Sequence, residues 1–270
     1  MPKKKILITG AYGIVGSVCY NYFIQDDTYD VYGLGRRNVP SARVTENIDI
    51  KIPDDHFFMA DLTNADQIAE AVAGMDTVIH LAACPDGEGE WETVLEANVN
   101  GNWNVLDACV KAGVKRILYA STIMVNWGYW DIEPYSFIQK KELDKIPADY
   151  ELIDRNSPTM PTSYYASTKI LGEALARTIS RNEDISILCL RIGGVQGDDK
   201  ISRNSYPGSI WCSTGDICDI IKRMVEAPDD LKYDLFFGIS NSDYPIVDLS
   251  HEKEVLGYVP KSKAEDHYSD

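Results

Sequence analysis

The stretch Ile6-Leu-Ile-Thr-Gly10-Ala-Tyr-Gly13-Ile-Val-Gly16 decides the fold class. Its apolar start predicts a short buried strand, and its three glycines lead into a helical pattern. Gly10 allows a sharp turn, Gly13 allows backbone N–H groups to approach a pyrophosphate, and Gly16 allows the helix to pack against the sheet. This order of strand, turn and helix favours a dinucleotide site at the positive end of the helix dipole, the alternative being an ordinary tight turn.

The length and the net charge of the chain limit its domain organisation and its binding partners. The chain has 270 residues and a formal net charge of −16. The length suits one large domain or a domain with a smaller lobe. The acidic balance argues against nucleic-acid binding. No apolar run approaches the roughly 20 residues that a membrane span needs, and the start Met1-Pro-Lys-Lys-Lys5 has no signal-peptide core.

Six cysteines and four histidines are scattered along the chain. Because no C-x-x-C pair occurs, we expect reduced thiols in a cytoplasmic protein. The histidines have no ligand spacing, so we expect no metal site. His80 lies inside an apolar run, and we predict that it is a core histidine rather than a catalyst.

The end of the second predicted strand, residues 29–34, bears on the choice of cofactor. Enzymes that use NAD place an acidic residue there, which binds the ribose hydroxyls. This chain has Arg36 and Arg37 instead, which favours NADP because an arginine pairs with a 2′-phosphate; the alternative is two solvated loop residues. Asp61, after the third strand, could accept from the adenine amino group or cap the next helix.

Further along, small residues after the fourth strand, 76–83, allow a dinucleotide to lie against the backbone. A long helix is predicted over residues 91–112, and Asn98 and Gly101 inside it cost stability unless they have a use. Asn98 could hold a water or brace a neighbouring strand. The fifth strand, residues 115–120, leads into two hydroxyl residues at the sheet edge where ligands bind.

The second half of the chain supplies the predicted substrate side. Aromatic-rich residues 127–161 are too long for a plain connection and predict a lid or substrate wall, the alternative being a structural insertion with its own cluster. The sixth strand, residues 185–191, ends at Ile192-Gly-Gly194, where tandem glycines would let the backbone approach a nicotinamide. We predict disorder for the last ten residues.

The segment Tyr165-Ala-Ser-Thr-Lys169 opens a helix predicted over residues 162–182. Residues four apart share one helix face. A tyrosine with its ordinary pKa near 10 is too weak a base at neutral pH, and an ammonium one turn away stabilises the phenolate and lowers that pKa. Tyr164 lacks a lysine at this spacing and is the weaker candidate. A Ser or Thr hydroxyl from the fifth strand would hold the substrate oxygen.

Together, the glycine motif, Ser121-Thr122, Tyr165-x-x-x-Lys169 and Arg191-Ile-Gly resemble the extended short-chain dehydrogenases/reductases, also called the NAD-dependent epimerase/dehydratase family. The resemblance covers nearly the whole chain. It implies an α/β fold: a Rossmann doubly wound parallel sheet over residues 1–192, with a lid or insertion at 123–161. Residues 193–270 would form a small C-terminal substrate lobe interleaved with the sheet.

The resemblance also implies roles for single residues. Tyr165 would be the acid/base, Lys169 would bind the nicotinamide ribose and tune Tyr165, and Thr122 would be the hydroxyl partner, with Ser121 as the alternative. Asn98 would brace the site. The residues expected around the dinucleotide are Gly10, Tyr12, Gly13, Ile14, Val15, Gly16, Arg36, Arg37, Asp61, Leu62, Leu81, Ala82, Ala83, Asn98, Tyr165, Lys169 and Ile192.

Within the family the chain looks most like the uronate and hexose dehydrogenases, with two departures. Those enzymes carry Asn-His after the catalytic hydroxyl, where this chain has Ile123-Met124. They clamp the substrate carboxylate with an arginine before a tryptophan, and the matching place before Trp211 holds Tyr206, with Arg203 only nearby. Ile123-Met124 also departs from the acidic residues that sugar-nucleotide dehydratases use.

The sequence therefore predicts an oxidoreductase that moves a hydride between NADP or NAD and a carbinol carbon of a sugar-like substrate. An epimerase that retains NAD is the first alternative, although the short stretch after the sixth strand leaves little room for a nucleotide diphosphate. A non-catalytic module that senses NADP is the second. We expect no nucleic-acid or membrane partner, and a homodimer is possible by analogy with the family.

Overall fold

The computed structural model describes residues 2–85, 90–202 and 207–269. Its strands are β1 (Lys4–Thr9), β2 (Tyr29–Gly35), β3 (Phe57–Met59), β4 (Thr77–His80), β5 (Arg116–Thr122), β6 (Ser186–Ile192), β7 (Ile201–Ser202), β8 (Tyr233–Gly238) and β9 (Tyr268–Ser269). Its α-helices are α1 (Ile14–Phe23), α2 (Ala65–Val72), α3 (Trp91–Leu95), α4 (Gly101–Ala112), α5 (Tyr135–Gln139), α6 (Tyr164–Asn182), α7 (Thr214–Val225) and α8 (Ser250–Leu256).

Seven parallel strands form the central sheet, in the order β3-β2-β1-β4-β5-β6-β8. The chain winds outward from β1 in one direction and then from β4 in the other. This reversal between β1 and β4 defines the doubly wound Rossmann arrangement, and ligands bind outside the carboxyl ends of the strands at such a point. The predicted fold class is confirmed.

Alternating side chains of the strands build a core on each face of the sheet. Ile6 and Ile8 of β1 pack with the buried faces of α1 and α7, whereas Leu7 packs with those of α2 and α4. The inner strands β4, β5 and β6 are buried along nearly their whole length because both faces are covered. The two layers of helices thereby fix the strand ends, where the loops of the site begin.

The helix predicted over residues 91–112 is interrupted by a π-helical turn, Glu96–Asn100, between α3 and α4. Asn98 lies in this turn, and its buried side chain bonds both the N–H and the C=O of Cys84. A Cβ at Gly101 would lie 2.7 Å from Cβ of Leu62. These two poor helix formers thus have structural uses: Asn98 ties the turn to the backbone of Cys84, and Gly101 lets Leu62 approach the helix.

Residues 123–161 contain two 3₁₀ segments, Ile123–Asp131 and Leu143–Lys145, and the short helix α5. Trp130 and Ile153 belong to a hydrophobic cluster that also contains residues from outside the segment, among them Ile210, Phe237 of β8 and Val247. The backbone of Ile153 also bonds the backbone of residues 246 and 248. Because the segment shares this cluster with the end of β8, both a lid or substrate wall and an insertion with its own cluster stay predictions.

The prediction of disorder at the end of the chain is wrong for residues 261–269. Tyr268 in β9 pairs with Ile201 in β7, and Ala264 is fully buried. His267 lies against the Trp211 ring, with 4.6 Å between ring centroids. A polar composition suggested a loose tail, but the pairing partner lies more than sixty residues earlier in the chain, where local sequence patterns do not reach.

Close packing of α1 on the first turn gives a test of the fold. A Cβ at Gly16 would overlap the carbonyl oxygen of Gly10, which is backbone and cannot move aside. We expect Gly16→Ala to lower the free energy of unfolding by about 1–3 kcal/mol, measured by urea denaturation. Gly215→Ala is the matched control, because a Cβ at this helical position meets nothing closer than 3.9 Å. Equal stability of the two variants would contradict the close approach.

Candidate active site

The candidate site lies where the carboxyl ends of β1, β4, β5 and β6 meet at the point of strand reversal. Gly10 has φ +70°, and a Cβ there would lie 3.0 Å from the backbone N and Cα of Ala82. The turn after β1 therefore touches the turn formed by Leu81, Ala82 and Ala83 after β4. Only a glycine allows this approach, and it brings two of the predicted cofactor segments together.

The first turn of α1 is fit to hold an anion. Gly13 is the N-cap of α1, no side chain caps this end, and its first turn carries no acidic residue. In contrast, α2, α6 and α7 are capped by the side chains of Asn64, Ser163 and Ser213. The first N–H groups of a helix lack intrahelical partners, so those of α1 are suited to the pyrophosphate of a dinucleotide.

The side chains beside this turn differ in orientation and in burial. Tyr12 is turned inward, with its ring edge-on to Phe57 at 5.3 Å and its hydroxyl accepting from Ile52 N. Tyr12 can therefore face a ligand only through its backbone. Ile14 and Val15 are half-buried on the opening turn of α1.

His80 is the core histidine that the sequence predicts. Ala82 N donates to the Thr9 hydroxyl at 3.1 Å, and the same hydroxyl lies 2.8 Å from His80 Nδ1. Burial, with the Lys169 charge as a second cause, lowers the pKa of His80 to about 3. The ring is therefore neutral, and its Nδ1 shares a hydrogen bond with the Thr9 hydroxyl. This chain of bonds fixes the turn after β4 against β1.

The residues predicted around the adenine end lie near the ends of β2 and β3. Arg36 and Arg37 are exposed, directly after β2. Asp61 accepts from the N–H and hydroxyl of Thr63, and the Thr63 N–H is the largest cause that holds the pKa of Asp61 below its usual range. The predicted capping role of Asp61 is wrong, because Asn64 caps α2. Leu62 packs beneath Gly101.

Tyr165 and Lys169 lie one turn apart at the start of α6. Lys169 Nζ donates to the carbonyl of Ala120 at 2.9 Å and lies 5.7 Å from the centre of the Tyr165 ring. Burial lowers the pKa of Lys169 to about 8. Tyr165 is half-buried, whereas the neighbouring Tyr164 is 67% exposed and packs on Trp91. The choice of Tyr165 over Tyr164 as the acid/base stays a prediction.

The two hydroxyls at the end of β5 point to opposite faces of the sheet, as neighbours on a strand do. Ser121 donates to the carboxylate of Glu173 inside the layer between β5 and α6. Thr122 accepts from Met124 N at 3.2 Å and opens the 3₁₀ segment that follows. The structure thereby separates the pair: the Ser121 hydroxyl is engaged in the interior, and Thr122 lies at the edge of the site.

Sequence reasoning missed Glu173, which holds Arg191 of β6 in a buried ion pair. Its position four residues after Lys169 was the available signal, because 165, 169 and 173 share one face of a helix. Without knowledge of its partner, sequence analysis assigns a glutamate in a helix to the solvent-exposed face. The partner is 18 residues away in sequence, on a strand.

The first of the tandem glycines after β6 has a packing role in the structure. A Cβ at Gly193 would overlap the carbonyl oxygen of Ile210, and Gly194 N donates to the same oxygen at 2.8 Å. Gly193 therefore allows residue 210 to approach closely, and the approach of this backbone to a nicotinamide stays a prediction. Ile192 remains half-buried beside Thr122, its partner in register on β5.

The expected substrate clamp, Arg203 or Tyr206, lies outside the described residues, as does part of the Gly-rich loop 84–90. Among the residues that are described, no group of three or more His, Cys, Asp or Glu side chains is arranged to hold a metal ion. Within those same ranges, every helix is too short or too polar to pass through a bilayer.

The sequence of this chain is similar to a known protein family and to characterised proteins. The model of the NAD dependent epimerase/dehydratase family matches residues 6–213. L-arabinose 1-dehydrogenase (NAD(P)(+)) of Haloferax volcanii is 30% identical and aligns over 96% of this chain and 97% of its own. NAD-dependent glucose-6-phosphate dehydrogenase of the same organism is 27% identical over 97% of this chain and 94% of its own.

A solved structure has a fold similar to that of this chain. Uronate dehydrogenase from Agrobacterium tumefaciens is 25% identical and superposes with a TM-score of 0.76, covering 98% of this chain and 87% of that chain. The family model spans most of the sequence, and the arabinose dehydrogenase aligns with it almost end to end. The chain therefore belongs to the NAD-dependent epimerase/dehydratase family.

Proposed function

We propose that this chain is an NAD(P)-dependent dehydrogenase that oxidises a carbinol carbon of a sugar-like substrate. The observation that carries the proposal is the position of Tyr165 and the buried Lys169 on one face of α6, against the end of β5. The names of the relatives, an arabinose and a glucose-6-phosphate dehydrogenase, support a sugar substrate and an oxidoreductase.

In the proposed reaction the bound nicotinamide supplies the hydride acceptor. The Tyr165 phenolate takes the proton of the substrate hydroxyl, and the Lys169 ammonium stabilises that phenolate. Thr122, at the edge of the sheet, holds the substrate oxygen with its hydroxyl. The pyrophosphate would be held by Gly10, Gly13 and the first turn of α1, and the dinucleotide would lie along Leu81–Ala83.

Two further expectations remain proposals. All six cysteines lie in the described ranges, are buried and form no disulfide, which supports a reducing compartment and hence the cytoplasm. Homodimer formation stays a prediction.

Replacement of Tyr165 tests the proton transfer. We expect Tyr165→Phe to lower kcat by about 10²–10⁴-fold, because a positioned general acid–base group contributes that much, and to leave the Kd for the reduced cofactor nearly unchanged. Tyr164→Phe is the matched control, since it removes the neighbouring exposed hydroxyl. Initial rates and cofactor fluorescence measure the two quantities. Unchanged turnover in Tyr165→Phe would remove this residue from the mechanism.

Replacement of Arg36 tests the cofactor preference. Because no acidic residue follows β2 and two exposed arginines do, we propose that NADP binds more tightly than NAD. Arg36→Ala should weaken NADPH by about tenfold, the range of one charge-assisted pair, without affecting NADH. Arg181→Ala, far away at the end of α6, controls for loss of charge. Tighter binding of NADH than NADPH by the unaltered protein contradicts the preference.

The buried Lys169 gives a pH dependence with a definite sign. Its folded pKa of about 8 lies below its ordinary value of 10.5, so the unfolded chain binds more protons between these two pH values. The stability of the unaltered protein relative to Lys169→Met should therefore rise by about 3 kcal/mol across this window as pH increases. Urea denaturation at a series of pH values, without cofactor, measures it.

Lys253→Met, which removes an exposed lysine, is the control for that experiment. A stability difference between Lys169→Met and the unaltered protein that stays flat across this pH window would show that the ammonium is hydrated, and would contradict the burial of Lys169.

A further inference from the structure

The ion pair between Glu173 and Arg191 is the most completely bonded buried group near the site. Arg191 Nε donates to Glu173 Oε1 and Nη2 to Oε2, each at 2.9 Å, so the pair is bidentate. The Ser121 hydroxyl donates to Oε1 as well. Glu173 is 7% exposed and Arg191 3%. Two parallel bonds to a planar fork fix direction as well as distance.

Each member of this group is next to a residue of the proposed site. Glu173 follows Lys169 by one turn, on the face of α6 that also bears Tyr165. Ser121 precedes Thr122 on β5, and Arg191 precedes Ile192 on β6. The three bonds therefore join the helix that carries the acid/base pair to the two strand ends that flank the substrate.

Arg191 extends the group to a fourth segment. Its Nη1 donates to Asn126 Oδ1 at 3.2 Å, in the 3₁₀ segment that begins directly after Thr122. Its guanidinium also lies over the Phe237 ring of β8, 5.4 Å from the centroid. Hydrogen bonds in this buried layer are strong and leave Arg191 little freedom to move. A sliding or rotation of α6 relative to the strands would therefore break several of these hydrogen bonds at once.

We infer that Glu173, Arg191 and Ser121 are positioning residues that fix the Tyr165 hydroxyl relative to the Thr122 hydroxyl. This inference rests on the proposed function of Tyr165 and Thr122. Ser121 thereby acts through Glu173 and not on the substrate. A displacement of about 1 Å at a reacting group costs about a hundredfold in rate, so a small shift of α6 is enough to be measured.

Three variants separate positioning from stability: Glu173→Gln, Arg191→Met and the double variant. Each single change leaves a buried group without its charged partner and should lower the Tm. The double variant leaves no unpaired charge, so it should recover much of the lost Tm. We expect kcat to fall by about tenfold to a hundredfold in all three, with KM and the cofactor Kd within about threefold of the unaltered enzyme.

Asp234→Asn is the matched control. Asp234 is another buried carboxylate bound to an arginine, Arg155; it lies on β8 in register with Leu188, nearer the amino ends of the strands than Arg191. It should lower the Tm and leave kcat unchanged. If Glu173→Gln keeps the kcat of the unaltered enzyme, or if the double variant recovers kcat together with Tm, the ion pair is structural only and the inference is overturned.

The failure of the proposed function has a separate signature, which is no turnover by the unaltered protein with any sugar. In that event the ionisation of the Tyr165 phenol is followed by near-ultraviolet absorbance, as the difference from a Tyr165→Phe background. A shift of its titration in the double variant, which leaves the net charge of the pair unchanged, supports positioning by the ion pair, because the phenol then sits differently against Lys169. An unchanged titration overturns it.

Discussion

The burial of one positive charge is the constraint that the packing around the site has to satisfy. Lys169 reaches through the layer between α6 and β5 to bond the carbonyl of Ala120, and the rings of Tyr119 and Tyr165 lie within 5.2 and 5.7 Å of its ammonium. Burial lowers the pKa of Lys169 to about 8, which means that the ammonium is held at a cost in free energy. The helix can lie this close because residue 172 is a glycine: a Cβ there would overlap the Tyr119 hydroxyl.

The other half of the site depends on neutral contacts. The turns after β1 and β4 meet at Gly10 and Ala82, and the Thr9 hydroxyl links Ala82 to a neutral His80. His80 is kept uncharged partly by the Lys169 ammonium. The same buried charge therefore lies beside both the proposed acid/base pair and the histidine that fixes the backbone of the proposed dinucleotide site.

Those features of the site that depend on residues close together in the sequence could be predicted from it. The glycine turn and the spacing from Tyr165 to Lys169 are local patterns, and strand periodicity was sufficient for a doubly wound sheet. The use of Ser121 was not predictable, because its partner Glu173 is 52 residues away. The same holds for Gly193, whose approach to Ile210 depends on how two loops cross. Where a contact joins distant segments, residue type alone leaves several roles open.

The central claim is that the phenol, the ammonium and the uncapped turn of α1 together form a dehydrogenase site for a sugar-like alcohol. The most direct measurement is the appearance of reduced-nicotinamide absorbance when the purified protein is mixed with NADP⁺ or NAD⁺ and each member of a panel of aldoses, sugar phosphates, uronates and sugar nucleotides. The account predicts steady, enzyme-dependent reduction with at least one sugar that bears a free carbinol. No reduction with either cofactor across the panel, from protein that binds the dinucleotide, would contradict it.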